Sequence, residues 1–373
     1  MTDSHTQPDP GLSPAFRDRL NRRLAEVCRD RADEARAISP EAAEMVSRIG
    51  QLAEGGKRVR AMLAFHAFTA CGGSPESGEI LELGATIELF QAAALIHDDI
   101  IDRSDTRRGR PSVHRSLEAL HGDRGWGLDA ARFGESAAIL TGDLALAMSD
   151  ERFAALGAAP GSALRTRFDR MKWEVMAGQY LDIVEEVAAA AVGREEAADR
   201  AMSVLRFKSA KYTFEHPTAL GALLAGADDA TAGRFADFAL PIGEAFQISD
   251  DDLGVFGDPS QTGKPAGDDL LEGKRTVLVA FAMEAADATQ RLALENVLGN
   301  RAASEEQIGV ARDILERTGA RRRALDLAHR LAESGQARLS ALAESAEIAG
   351  SPQRRQAVRE LEALAQQVVE RTH

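Results

Sequence analysis

Two cysteines, Cys28 and Cys71, in 373 residues are too few for a disulfide framework or a cysteine-based metal site, and they fit a reducing compartment. Aromatic residues make up only 5% of the chain, and β-branched runs of period two are hard to find, so nothing points to a sheet-built core. Positive charge is also in short supply. Lys and Arg number 45 against 59 Asp and Glu, a net charge of −14, which argues against a nucleic-acid binder held by phosphate neutralisation and against docking on anionic lipid. No apolar run reaches the roughly 20 residues of a spanning helix, because charged or polar residues interrupt each candidate. The opening stretch, with Pro8, Pro10 and Pro14 close together, lacks the layout of a signal peptide. The expectation is a soluble, cytoplasmic protein with a short disordered tail over residues 1–14, no nucleic-acid partner and no integral membrane segment.

What is abundant is alanine, with apolar positions recurring at three-and-four spacing almost everywhere, so the fold class is all-α. Ser39-Pro40 followed by Glu41 has the form of a cap with proline at the first helical position, and Gly55-Gly56 and Gly72-Gly73 have the form of helix stops. The pattern predicts helices over 15–36, 40–54, 57–71, 76–103, 135–157, 161–190, 195–213, 216–226, 228–255, 274–297, 304–317, 320–345 and 351–371. The segment between Arg103 and Glu135 reads mostly as loop, with a short helix at 113–120. No repeat and no Pro/Ser/Gly-rich linker divides the chain, which favours one helical bundle over residues 15–373 with a central cavity.

Residues 76–103 carry the sharpest chemical signal. An apolar run from Ile87 to Ile96 passes without a breaker into His97-Asp98-Asp99-Ile100-Ile101-Asp102. Asp98 and Asp102 are four apart and therefore share a helix face. Carboxylates stacked this way repel unless a cation sits between them, and an oxygen-only donor set suits Mg²⁺ completed by substrate phosphates. Taken alone, such a cluster is also what a solvated helix end looks like. A second cluster, Asp250-Asp251-Asp252, again follows an apolar helix, Phe235 to Phe246, and two such ends could form a multi-metal clamp on one diphosphate.

Cations appear where a polyanion would need them. Gly55-Gly56-Lys57-Arg58-Val59-Arg60 opens a helix, Arg107-Arg108-Gly109-Arg110 follows the first aspartate cluster, and Gly263-Lys264 and Gly273-Lys274-Arg275-Thr276 follow the second. Any one of these could be a solvated face. Four basic clusters interleaved with two acidic ones in a net acidic chain are harder to explain so.

Together these residues resemble the trans-isoprenyl diphosphate synthases of the polyprenyl synthetase family, over about residues 40–345. The resemblance implies an enzyme that joins isopentenyl diphosphate to an allylic diphosphate. Lys57, Arg60, Gln91 and Arg108 would hold isopentenyl diphosphate. Asp98, Asp102 and Asp250 would bind Mg²⁺, about three ions per active site. Arg107, Lys208, Ser209, Gln247, Lys264 and Lys274 would complete the allylic diphosphate site, with Asp99 and Asp251 behind the metal ligands. The catalytic set would be Asp98, Asp102, Arg107, Lys208, Asp250 and Lys264. Neutralising the pyrophosphate lets the allylic C–O bond ionise, the isopentenyl double bond adds to the cation, and a proton is lost.

Two departures stand out. Where the family often has Asp-Asp-x-x-Asp, Gly254 occupies the fifth position of the second motif and Asp252 is an extra acid. Ser209 stands where the family usually has threonine.

The resemblance also bears on chain length. In the family, bulky side chains four and five residues before the first aspartate stop the product at farnesyl. Those positions are Ala94 and Ala93 here, and the next large residue on the face is Phe90, one turn of about 5.4 Å further. The expected product is geranylgeranyl diphosphate; farnesyl diphosphate, longer prenyl diphosphates, a terpene cyclase or a non-catalytic prenyl-synthase subunit are the alternatives. His66, His97, Asp98 and Asp143 could instead suggest an HD-type phosphohydrolase, which leaves the second aspartate cluster unexplained. His97 is left outside the site, Gln179 and Asp182 could back the metals or be structural, and a homodimer is expected.

Overall fold

The computed structural model describes residues 14–188, 193–258 and 266–370. Lys264 and residues 1–13 of the tail expected over 1–14 lie outside them, while Pro14 is already the first residue of a helix. The described residues form two compact units, one from residues 14–65 and 73–160, the other from those within 66–72 and 161–370.

In the first unit, α1 (Pro14–Ile38), α2 (Pro40–Ala53) and the first half of α3 (Val59–Ala70) precede α4 (Gly78–Ile101), a two-residue hairpin of β1 (Thr106–Arg107) and β2 (Arg110–Pro111), α5 (Val113–Asp123) and α6 (Ala130–Ala154). Ser39 caps α2, its hydroxyl accepting from the Ala42 N–H at 3.1 Å. Helix α4 is apolar on all sides, as a central helix must be. It packs on α1, α2, α5 and α6, burying Ile80, Leu83, Ile87, Phe90, Ala93 and Ile96. By length and composition α4 is apolar enough to cross a membrane, yet Glu82, Glu88 and Gln91 interrupt the run as expected, and most of it is buried in this unit's core. Phe16 stacks on Phe65 with centroids 4.1 Å apart, and Gly84 lets α4 approach Leu20 and Phe16. The stretch expected to be mostly loop is more ordered: α5 runs to Asp123, and α6 starts five residues earlier than predicted because Asp129 caps it, accepting from the Arg132 N–H at 3.1 Å.

The second unit holds α7 (Ala163–Ala188), α8 (Arg194–Val204), a π-helix π1 (Leu205–Glu215), α9 (His216–Leu224), α10 (Asp229–Phe256), α11 (Asp268–Glu272), α12 (Val277–Ala285), α13 (Ala288–Val297), α14 (Glu305–Arg317), α15 (Ala320–Ala343), α16 (Ala346–Ala349) and α17 (Pro352–Glu370). The central element is α10, against which π1, α9 and α15 pack. Two predicted helices differ. The helix read over 195–213 changes to π geometry at Leu205. Pro217 has no N–H to return to the preceding turn, and the wider spacing shows where the His216 N–H reaches back five residues to the Lys211 carbonyl. The helix read over 274–297 is two, because Asp287 and Gln290 form a capping box that starts a new helix.

Candidate active site

The first unit carries the first aspartate motif at the C-terminal end of α4. Asp102 keeps helical geometry, and its N–H donates to the Asp98 carbonyl at 2.8 Å, so the two carboxylates share one face as their spacing predicts. Asp99 is fully buried and accepts from Arg107 Nε at 2.8 Å, while Arg107 Nη2 reaches Asp98 at 3.4 Å. Arg107 and Arg108 are presented by the hairpin. Arg108 and Gly109 form its turn with φ of 54° and 72°, the doubly left-handed geometry that matches hairpin twist and that a non-glycine residue adopts only under strain. Such strain collects at ligand-binding positions.

Arg108 Nη1 donates to the Leu52 carbonyl at 2.9 Å, and its guanidinium packs over Gly56. Burial, partly opposed by Glu88, and then the nearby Arg58, Arg107 and Arg60 lower its pKa. A cationic crowd of this kind favours an anion. Arg58 is a different case: it is buried, donating to Glu88 at 2.8 Å and to Asn21 at 3.0 Å. Its neighbours differ in exposure: Lys57 is exposed and Arg60 half-buried. Gln91 is half-buried on α4, as is Ala94, while Phe90 and Ala93 are buried. His97 sits on Gly142, with Nε2 at 3.3 Å from the Ile139 carbonyl and 3.5 Å from Asp143, a contact between α4 and α6 that explains a histidine here without a metal.

The second unit carries the second motif on the last turns of α10. Asp250 is exposed. Asp251 accepts from Gln247 Nε2 at 2.9 Å, and burial together with the Asp269 carboxylate raises its pKa well above the usual carboxylate range. The extra acid, Asp252, turns inward. It takes a two-pronged bond from Arg321 of α15 at 2.8 and 3.1 Å, and that guanidinium stacks 3.9 Å from the Phe256 ring. Asp252 therefore ties α10 to α15.

Lys208 and Ser209 lie in the π-helix, both half-buried. Lys208 Nζ donates to Asp182 of α7 at 2.5 Å, and α7 comes so close here that a Cβ on Gly178 would lie 2.3 Å from the Lys208 nitrogen. Gln179, beside it, has a buried amide nitrogen with no hydrogen-bond partner among the described residues. Below Lys208 a buried network braces π1 against α7. Glu174 accepts from His216 Nε2 at 2.8 Å and from Lys211 at 2.9 Å. Burial alone would raise the Glu174 pKa, but these bonds outweigh it and hold the carboxyl at about 2. Glu186 is raised by burial and by Asp182, with Lys208 and Lys274 opposing, which groups these charges at one end of α7. Lys274 Nζ pairs with Asp269 at 2.8 Å and Glu272 at 2.7 Å. The motif reading gave no role to Asp269, Glu174, Lys211 or His216; the one available signal was the missing acid at Gly254.

A solved geranylgeranyl pyrophosphate synthase from Corynebacterium glutamicum, complexed with isoprenyl diphosphate and magnesium, matches with a TM-score of 0.85 and 36% identity, covering 95% of this chain and 98% of that one. The geranylgeranyl diphosphate synthase of Sulfolobus acidocaldarius is 31% identical over 75% of this chain and 77% of its own. The geranylfarnesyl diphosphate synthase of Aeropyrum pernix is 32% identical over 71% and 77%. The polyprenyl synthetase family model matches residues 43–315. Its all-α isoprenoid synthase fold carries the same meaning as that match: the chain belongs to the polyprenyl synthetase family and is a trans-prenyltransferase that elongates prenyl diphosphates.

Proposed function

We propose that this enzyme adds isopentenyl diphosphate to an allylic diphosphate with Mg²⁺ and releases chiefly geranylgeranyl diphosphate. Lys57, Arg60, Gln91 and Arg108 would hold isopentenyl diphosphate, and Arg107, Lys208, Ser209, Gln247, Lys274 and Lys264 the allylic diphosphate. The donor set fits Mg²⁺. Asp98 and Asp102 offer carboxylate oxygens one turn apart and Asp250 offers another, whereas no three His, Cys, Asp or Glu among the described residues are grouped to hold a metal by themselves. Mg²⁺ completes its shell with phosphate oxygens and water. When bound, about three Mg²⁺ would neutralise charge on the departing pyrophosphate. The chain's own cations share that task, and the apolar wall of α4 keeps water from the reacting carbon.

The observation that carries the product length is the register Phe90, Ala94, Asp98, Asp102 along α4. Four-residue steps put these side chains in one stripe, so a tail running from the aspartates passes small Ala94 before it meets the buried Phe90 ring. We also take residues 15–373 to act as one synthase domain, in the cytoplasm and as a homodimer. Trp173, Met176 and Tyr180, 59%, 51% and 67% exposed, recur at coiled-coil spacing on the face of α7 opposite Glu174 and Gly178, a pattern a second copy would cover.

The test is to incubate the purified chain with isopentenyl diphosphate, Mg²⁺ and, separately, dimethylallyl, geranyl and farnesyl diphosphate, then size the dephosphorylated alcohols. Dominant geranylgeraniol is expected. Farnesol or longer alcohols would discard the Phe90 floor and keep the reaction, and no elongation would point to the cyclase or subunit readings.

A further inference from the structure

In the second aspartate motif, position 254 is glycine, and the space its side chain would fill is already taken. A Cβ built on Gly254 would lie 1.9 Å from Asp269 Oδ2 and 2.7 Å from its Cγ. The carboxylate in that space comes from α11, not from α10. Its other oxygen, Oδ1, accepts from Lys274 Nζ at 2.8 Å, and the Asp269 carbonyl accepts from the Lys274 N–H at 3.1 Å. Asp269 thus grips one lysine at both its main chain and its side chain. The main chain returns to α10 at the same place, where the Gly267 N–H donates to the Gly254 carbonyl at 2.9 Å. Gly273, between the two partners, has φ of 89°, a left-handed turn that brings Lys274 back over Asp269.

We propose that Asp269 is the positioning residue for Lys274, that Gly254 is the clearance it requires, and that α11 thereby supplies the carboxylate that a fifth-position aspartate would otherwise bring. A charge-assisted bond of this kind fixes a flexible lysine stem that would sample many rotamers. A fixed ammonium meets a diphosphate without further ordering cost. The inference rests on the reading of Lys274 as an allylic diphosphate cation. It makes an unexpected claim: Gly254→Asp, which restores the more usual motif, damages the site, because the new side chain drives Asp269 off Lys274.

The experiment compares the wild-type chain with G254D, D269N, D269A and the exchange variant G254D/D269A, each checked for folding by thermal melt. Two kinds of measurement are made: the dissociation constant for inorganic pyrophosphate by calorimetry with Mg²⁺ present, and steady-state kinetics giving KM and kcat for each substrate. G254D and D269N are expected to weaken pyrophosphate about tenfold, equivalent to about 1.4 kcal/mol. They should raise KM for the allylic substrate similarly and leave KM for isopentenyl diphosphate unchanged. The exchange variant should recover most of the loss seen in D269A, because a second carboxylate again holds Lys274 beside Glu272, which stays at 2.7 Å. D269N retains the shape of aspartate, so it answers the question even if G254D does not fold. Wild-type pyrophosphate affinity in D269N, or an exchange variant no better than D269A, would overturn the proposal. A wild-type chain that binds pyrophosphate yet elongates no primer would sink the elongation reading alone, and the same titrations would still decide the role of Asp269.

Discussion

Arg107 and Asp99 form a partly buried ion pair at the first aspartate motif: the guanidinium donates through Nε at 2.8 Å to a carboxylate only 1% exposed. Removing one member of such a pair costs more than the pair contributes, because the remaining charge stays buried. Arg107→Ala is expected to lower stability by about 3–5 kcal/mol as well as activity. Arg107→Lys should keep part of both, since an ammonium cannot reproduce the two-pronged contact. Urea unfolding of the two variants beside Asp99→Asn checks this, and an Arg107→Ala chain as stable as wild type would show that the pair contributes nothing.

The approach of α7 to the π-helix gives a second expectation. Alanine is the better helix former by about 1 kcal/mol, so Gly178→Ala should stabilise α7 if nothing opposed it. Its methyl would lie 2.3 Å from the Lys208 nitrogen and 2.5 Å from the Phe207 carbonyl carbon, both main-chain atoms that cannot rotate away. Overlap of this kind costs about 1–3 kcal/mol, which exceeds the propensity gain. The variant is expected to melt lower and to lose about tenfold in kcat/KM for the allylic substrate, about 1.4 kcal/mol, as Lys208 moves from Asp182. A melting temperature at or above wild type would refute the close-contact argument.

Acid sensitivity follows from the network below. Glu174 is held at about 2. It stabilises the fold above the ordinary carboxylate pKa, and that contribution is lost as pH falls through about 4.5 toward 2. Burial lowers His216 against its bond to Glu174. Its Nδ1 has no hydrogen-bond partner among the described residues, which fits a neutral ring with the proton on Nε2. A histidine kept neutral adds a loss that begins below its ordinary value of 6.5, because the unfolded chain takes the proton first. Unfolding free energy should therefore fall from about pH 6.5 downward in the wild type. Glu174→Gln should flatten the lower part of that limb, between about 4.5 and 2, and urea midpoints across this range are the measurement.

Where a sequence feature is local, it was legible. The four-residue step from Asp98 to Asp102, the Ser39-Pro40 cap and the cations around Gly109 are readable because spacing and residue type determine them. The capping box of Asp287 and Gln290 was equally local, and the apolar run on both sides concealed it. The π-turn at Leu205 changes hydrophobic period too little to announce itself. Asp269 could not have been assigned from spacing, since its role depends on a gap fifteen residues earlier at Gly254 that only the folded chain brings beside it. Asp252 reads as one more acid of its cluster until Arg321, from a distant helix, is seen to hold it.

The proposed product length rests on the reading of Phe90, and its test must separate a tunnel floor from an ordinary core ring. Phe90 is 1% exposed, so Phe90→Ala removes a buried ring and is expected to cost about 3–5 kcal/mol of stability under either reading. Only a floor predicts a change in products. With Ala93 and Ala94 already small, the next obstacle would lie at least one turn of about 5.4 Å further along α4, enough for one more isoprene unit. Phe90→Ala should therefore shift products from geranylgeranyl toward geranylfarnesyl diphosphate and longer. Phe90→Leu should shift them less, while retaining most of the stability. Ala94→Phe places a ring one turn nearer Asp98 and should shorten the product to farnesyl diphosphate. Product sizing of the three variants under one primer decides it: a destabilised Phe90→Ala enzyme with an unchanged product would leave Phe90 as core, and the floor would have to come from another wall.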